Sequence, residues 1–283
     1  MTQNIPQAGL GPREAQFLIA VASGSNGVFS IDDAHSFWSD PARARQAVAR
    51  LEKKGWLKRI ERGKYLVVPL EAGPKRTWME DSLVIAMSLR SDGVVGYCSA
   101  LNYWSMSEQI SRTVFVQSVR RRNVAEKIVL GVRYRFITVT SAKFFGVSVV
   151  SIGGSPVRIT DREKTLIDCL DRPDLAGGVR QLAVIIGNKA PQLDWDKFDN
   201  YLAGFPSSAA ARRAGYIVEA TSVELPTQKE RIARWRGLVK SGYLNLEPGS
   251  WTGGKLNRRW GIRDNAGLAE PNHLCPLDKW QVT

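Results

Sequence analysis

The sequence predicts an α+β fold in two parts, and three observations carry that expectation. The first seventy or so residues hold three helical patterns followed by two short β-prone runs around a glycine turn. Between residues 113 and 152 come segments dominated by Val, Ile, Thr and Phe in alternation, the composition of a sheet. From residue 160 to residue 240 the apolar positions return to a helical period, so helices follow the sheet.

Taken in order, residues 13–22 carry Phe17, Leu18 and Val21 at helical spacing. Ser30 followed by Ile31, Asp32, Asp33 and Ala34 reads as the capped start of a second helix. A third begins at Asp40-Pro41 and reads DPARARQAVARLEKKG, with aspartate to cap the first turn and proline where its missing N–H does no harm. Ala44, Ala47, Val48 and Leu51 form one apolar stripe, which turns Arg43, Gln46, Arg50 and Lys53 outward with Arg45 nearby. Gly55 ends this helix, and the runs 56–60 and 65–68 fold back around Arg62-Gly63 as a hairpin with a basic tip. Two helices, a basic helix and a hairpin within about 60 residues make a winged helix-turn-helix, an arrangement built for the major groove of DNA. On charge alone such a helix would be read as a solvated face; the order of elements argues for DNA.

Charge distribution agrees with a polyanionic partner. The chain has 40 Lys+Arg against 27 Asp+Glu, a formal charge of +13 and a pI near 9.9. Residues 40–64 hold nine basic side chains against three acidic, and residues 206–263 hold eleven against four. The stretch 77–205 between them is nearly balanced, with sixteen against thirteen. Phosphate neutralisation by such patches supplies most sequence-independent affinity for nucleic acid.

At 283 residues and 43% hydrophobic, the chain is long enough for two domains: a winged helix over 1–72 and an α+β domain over 77–283, divided by the turn-rich 70–75. Three cysteines without paired spacing (Cys98, Cys169, Cys275) read as small apolar side chains in a reducing compartment. With His35 and His273 the only histidines, no metal site and no cofactor are expected. There is no apolar signal core and no run approaching a membrane span, so a soluble, cytoplasmic protein is expected.

In the second part, residues 81–90 and 96–104 read as helices, and 113–117, 134–139 and 147–152 as strands, with 157–159 a short return. Thr160-Asp161-Arg162-Glu163 is a capping signal for the helix that follows, and further helices are expected over 178–186, 194–202, 208–221 and 227–240.

The central segments carry a resemblance: Ala142-Lys143-Phe144-Phe145-Gly146, then Gly153 to Ile159, then Asp161 to Leu170, completed by Asp171 to Gly178. Together with Tyr97-Cys98-Ser99-Ala100-Leu101, Ala211 to Tyr216 and Gly254 to Trp260, they resemble the AbiEi antitoxin family over residues 12–265. The resemblance implies an N-terminal winged helix joined to a C-terminal antitoxin domain. It implies a protein that binds inverted repeats in its own promoter and represses the operon. It also implies a functional partner, a nucleotidyltransferase-like toxin (AbiEii), countered without a stable complex in the manner called type IV.

Residue roles come from chemistry rather than from the resemblance. Arg43, Arg45, Gln46 and Arg50 are assigned to the groove, since Arg reads guanine and Gln reads adenine by paired hydrogen bonds. Lys53, Lys58, Arg62 and Lys64 are assigned to phosphates, which position without specifying. Arg120, Arg121, Arg122, Arg212, Arg213, Arg258 and Arg259, with Lys255, form a second candidate basic surface for DNA or RNA. Trp251 and Trp260 read as core. Asp161, Glu163 and Asp168 lie close in sequence but fit an N-cap and ion pairs better than catalysis, so no catalytic residue is assigned. Two alternatives stand beside the antitoxin reading. One is a winged-helix repressor that senses a small ligand through an apolar pocket in 77–205. The other is a nucleotidyltransferase, which needs a carboxylate pair at strand spacing that the sequence lacks.

Overall fold

Capping chemistry sets the first helices. The computed structural model describes residues 9–24, 27–68, 81–109, 111–121, 123–249 and 253–269. Helix α1 (Pro12–Gly24) is followed by the short strand β1 (Val28–Ser30) and helix α2 (Ile31–Trp38). Ser30 closes a capping box: its hydroxyl accepts the Asp33 amide at 3.2 Å, and the Asp33 carboxylate accepts the Ser30 amide at 2.7 Å. Helix α3 (Pro41–Lys53) starts with Asp40 accepting the Ala42 amide at 2.9 Å. Strands β2 (Leu57–Glu61) and β3 (Lys64–Val67) form the hairpin, and β1 pairs antiparallel with the far side of β3. The sheet order β1-β3-β2 is that of a winged helix.

This unit's core is aromatic. Phe17 of α1 meets Phe29 edge-on at 5.0 Å and packs against Trp38 at 4.5 Å, with Ala34, Ala44, Val48, Leu51, Leu57 and Val67 closing the rest. Edge-to-face pairs suit the ring quadrupoles, so the geometry adds to the area buried. Helix α4 (Ser82–Leu89) is capped by Asp81 at 2.7 Å.

The chain then runs through β4 (Val94–Val95), α5 (Tyr97–Tyr103), β5 (Thr113–Ser118), β6 (Glu126–Val129), β7 (Val132–Thr138), β8 (Val147–Ile152) and β9 (Ser155–Thr160). These strands make one sheet in the order β6-β7-β5-β4-β9-β8. β4 is antiparallel to β5 (Val95 opposite Val116) and parallel to β9 (Val95 opposite Ile159), so the sheet is mixed. Helices α6 (Arg162–Asp171), α7 (Val179–Lys189), α8 (Trp195–Gly204), α9 (Ser208–Thr221) and α10 (Gln228–Gly237) follow, then a small sheet of β10 (Leu244–Asn245), β11 (Lys255–Asn257) and β12 (Ile262–Asp264). The architecture is α+β. Packing divides it into two units: 1–92 with 126–134 and 149–157, and 93–125 with 135–148 and 158–283.

In the second unit α6 is buried from Glu163 to Leu170. A helix covered on every side must neutralise what it carries. Lys164 pairs with Asp168 one turn on, Gln117 donates to the same carboxylate at 3.1 Å, and the Lys164 ammonium lies 4.8 Å from the Phe145 ring centre. Burial pushes the Asp168 carboxyl above its ordinary value, although the Lys164 charge pulls the other way. Gly146 makes the approach possible. Its φ is +64°, and a Cβ there would sit 2.7 Å from Lys164 Cβ.

The short strands β1, β4, β6 and β10 to β12 were not expected from the sequence. At two to four residues each they carry no readable alternation, and partners distant in sequence define them. The expected interdomain turn at 70–75, together with Arg122, Trp251, His273 and Cys275, lies outside the described residues.

Candidate nucleic-acid interface

The stripe that buries α3 also aims its opposite side outward. Ala44, Ala47, Val48 and Leu51 are at most 1% exposed, which fixes the helix's rotation. Arg43, Arg45, Gln46, Arg50 and Lys53 are all exposed. At roughly 100° per residue, Arg43, Gln46 and Arg50 share one side of the outward face. Arg45 lies about 200° from Arg43, on the far flank with Glu52. The four expected groove residues therefore split into a cluster of three and an outlier. Ala42 and Ala49 lie between the flanks, and their small side chains let the helix backbone approach a partner closely.

Arg43, Gln46 and Arg50 line an open groove of about 850 Å³ together with Arg13, Glu14 and Trp38. Arg43 reaches back to its N-cap, Asp40, at 3.4 Å. Glu14, only 8% exposed, accepts from Arg50 Nε at 3.4 Å and from Lys54 Nζ at 2.8 Å, and Lys54 also donates to the Gly9 carbonyl at 3.1 Å. Burial raises the Glu14 carboxyl, but the Lys54 and Gly11 hydrogen bonds and the Lys54 charge outweigh it and hold the group below its ordinary value. Sequence reasoning missed Arg13 and Glu14. Neither stands out locally, because their place beside α3 depends on how α1 packs.

At the wing, Gly63 takes a φ of +74° in the turn, and its carbonyl accepts the Ile31 amide at 2.7 Å. Arg62 is exposed at the tip, and Arg59, exposed three residues earlier, donates to the Glu61 carbonyl at 3.4 Å. Lys58 is half-buried. Lys64 is also half-buried, and its ammonium donates to the Ser88 carbonyl at 3.0 Å. Glu61 is held by Lys127 at 2.9 Å. Of the expected wing cations Lys58, Arg62 and Lys64, Arg62 is the exposed one.

The second expected basic surface needs correction. Arg212 and Arg213 are 3% and 4% exposed, inside α9, where residues 210–218 are all buried. Arg212 donates to the carbonyls of Lys240, Ser241, Gly242 and Gly261. Arg213 donates to those of Leu170, Asp171, Asn245 and Leu246. Burial lowers the Arg213 guanidinium to about 10. These arginines spend their donors on backbone carbonyls of the fold and are buried, so they leave the candidate surface. Arg120, Arg121, Arg258 and Arg259 are exposed, and Arg259 pairs with Glu219 at 3.0 Å. Trp260 is buried and donates to Glu219 at 2.7 Å.

The acidic residues near α6 are occupied by the fold. Asp161 caps the helix at the Lys164 amide and accepts from Tyr201 and Lys197, while Glu163 accepts from the Asp194 amide and Lys197. Among the described residues, no helix is long and apolar enough to cross a membrane.

No curated protein matches the chain. The crystal structure of the RV2827C protein from Mycobacterium tuberculosis aligns with a TM-score of 0.59 at 13% identity, covering 94% of this chain and 96% of that one, a likeness of fold. Residues 16–68, from α1 to the end of the hairpin, match the family model described as "Transcriptional regulator, AbiEi antitoxin". The match is confined to this winged-helix segment, about a fifth of the chain.

Proposed function

We propose that the chain is a DNA-binding antitoxin that represses its own toxin–antitoxin operon by occupying inverted repeats in the promoter, and that it counters a nucleotidyltransferase-like toxin. In this reading residues 1–72 are the DNA-binding part and 77–283 the antitoxin part. The observation that carries the reading is the outward face of α3, where Arg43, Gln46 and Arg50 come together within the family-matched segment. Arg and Gln present the paired donors and acceptors that guanine and adenine edges require, and Arg62 and Lys53 supply phosphate contacts. Arg45, on the far flank, is better suited to a phosphate than to a base.

The test is a gel-shift titration on the DNA upstream of the gene, at two salt concentrations, against a scrambled duplex of equal length. Selective, salt-sensitive shifts on the upstream DNA support the repressor. Equal binding to both duplexes overturns it. The antitoxin half is tested by co-expression with the product of the neighbouring reading frame, where unrelieved growth arrest counts against it.

A further inference from the structure

Glu14 is a nearly buried carboxylate set among cations that the proposed function needs. It stands in the first turn of α1, and its Oε2 accepts the Gly11 amide at 3.2 Å and the Lys54 ammonium at 2.8 Å. Its Oε1 accepts Arg50 Nε at 3.4 Å, although the Arg50 side chain is 60% exposed. That contact fixes one edge of the guanidinium. Among the described residues the two Nη nitrogens have no partner, and an end-on pair of Nη donors can span the O6 and N7 acceptors of a guanine. Lys54 is drawn the other way, onto Glu14 and the Gly9 carbonyl.

We propose that Glu14 is a specificity-setting positioning residue: it holds Arg50 for end-on reading of a base edge and withholds Lys54 from the phosphate backbone. This rests on the reading of α3 as the helix that enters the groove. A carboxylate beside a DNA-binding face opposes phosphate, so it lowers sequence-independent affinity. In return it keeps a long, rotamer-rich side chain in one orientation. Selectivity and raw affinity are thereby set against each other at one residue.

The experiment compares wild type and Glu14→Gln on upstream and scrambled duplexes across a salt series, with thermal melts establishing that both are folded. The expected result has opposite signs on the two duplexes. Affinity for scrambled DNA rises, its log–log salt slope steepens by about one, and discrimination falls about ten-fold. A carboxylate that merely ties α1 to α3 would weaken both duplexes alike, and that outcome, or an unchanged ratio, overturns the proposal. Combining Glu14→Gln with Arg50→Ala should cost no more discrimination than Arg50→Ala alone, whereas additive losses overturn it. If Glu14→Gln does not fold, Lys54→Met decides: an unchanged salt slope supports the withheld lysine, and a slope reduced by about one refutes it. A wild type without preference for the upstream DNA removes the repressor reading and this inference together. A selective wild type with an equally selective variant removes the inference alone.

Discussion

Helices α3 and α9 are both alanine-rich and both carry arginines, yet they put those arginines to opposite use. In α3 the apolar side chains keep to one stripe, and Arg43 and Arg50 stay in solvent. In α9 everything from Ala210 to Val218 is buried, and Arg212 and Arg213 turn inward to eight backbone carbonyls of loops, a strand and the end of α6. Arginine suits both settings. It keeps its charge when buried, and its planar fork serves several acceptors at once. What decides between surface and interior is whether the rest of the helix leaves one side or no side to water.

The largest effect that could break this comparison is on stability. Arg213→Ala leaves the carbonyls of Leu170, Asn245 and Leu246 without their buried donor, and should cost about 3 kcal/mol or more. Urea unfolding reads the loss directly, and a midpoint within error of wild type would mean that α9 tolerates the vacancy. Arg50→Ala should leave the fold intact and weaken selective DNA binding by about 1–3 kcal/mol. If instead it unfolds the protein and Arg213→Ala does not, the two helices have been assigned the wrong way round. Arg62→Ala at the wing should lower affinity for all duplexes equally and reduce the salt slope by about one, a phosphate contact without sequence information.

The smallest effect is in acid. Glu14 is held below its ordinary value in the folded chain, so its contribution to stability is present above the unfolded glutamate value near 4.5 and fades as pH falls through the folded value. Wild type and Glu14→Gln should therefore differ in stability at pH 7 and converge in strong acid. Parallel curves down to pH 2 would show that the carboxylate is not better held in the folded state than in the unfolded one.

The contrast between the helices also explains what could be read from the sequence. The stripe Ala44, Ala47, Val48, Leu51, the caps at Ser30, Asp40 and Asp161, and the glycine turn at Gly63 are local signals, and each forms the expected element. The inward course of Arg212 and Arg213 was not legible, because alanine and glycine around them are as compatible with a covered helix as with an exposed one. The acceptors lie 28 to 49 residues away in sequence. Glu14 was hidden for the same reason, with Arg50 36 residues on. The Lys164–Asp168 pair was within reach as an i,i+4 spacing, but its complete burial depends on Gly146 and on the rings packed around it.

The hydrogen bond from the Ile31 amide to the Gly63 carbonyl ties the wing tip to the first turn of α2. The tip is therefore oriented before any duplex arrives, and docking need not order it. A preformed hairpin leaves the association rate to diffusion and long-range attraction between the basic face and the duplex. Capture should then be fast and sharply slowed by salt, with residence time left to the contacts made afterwards.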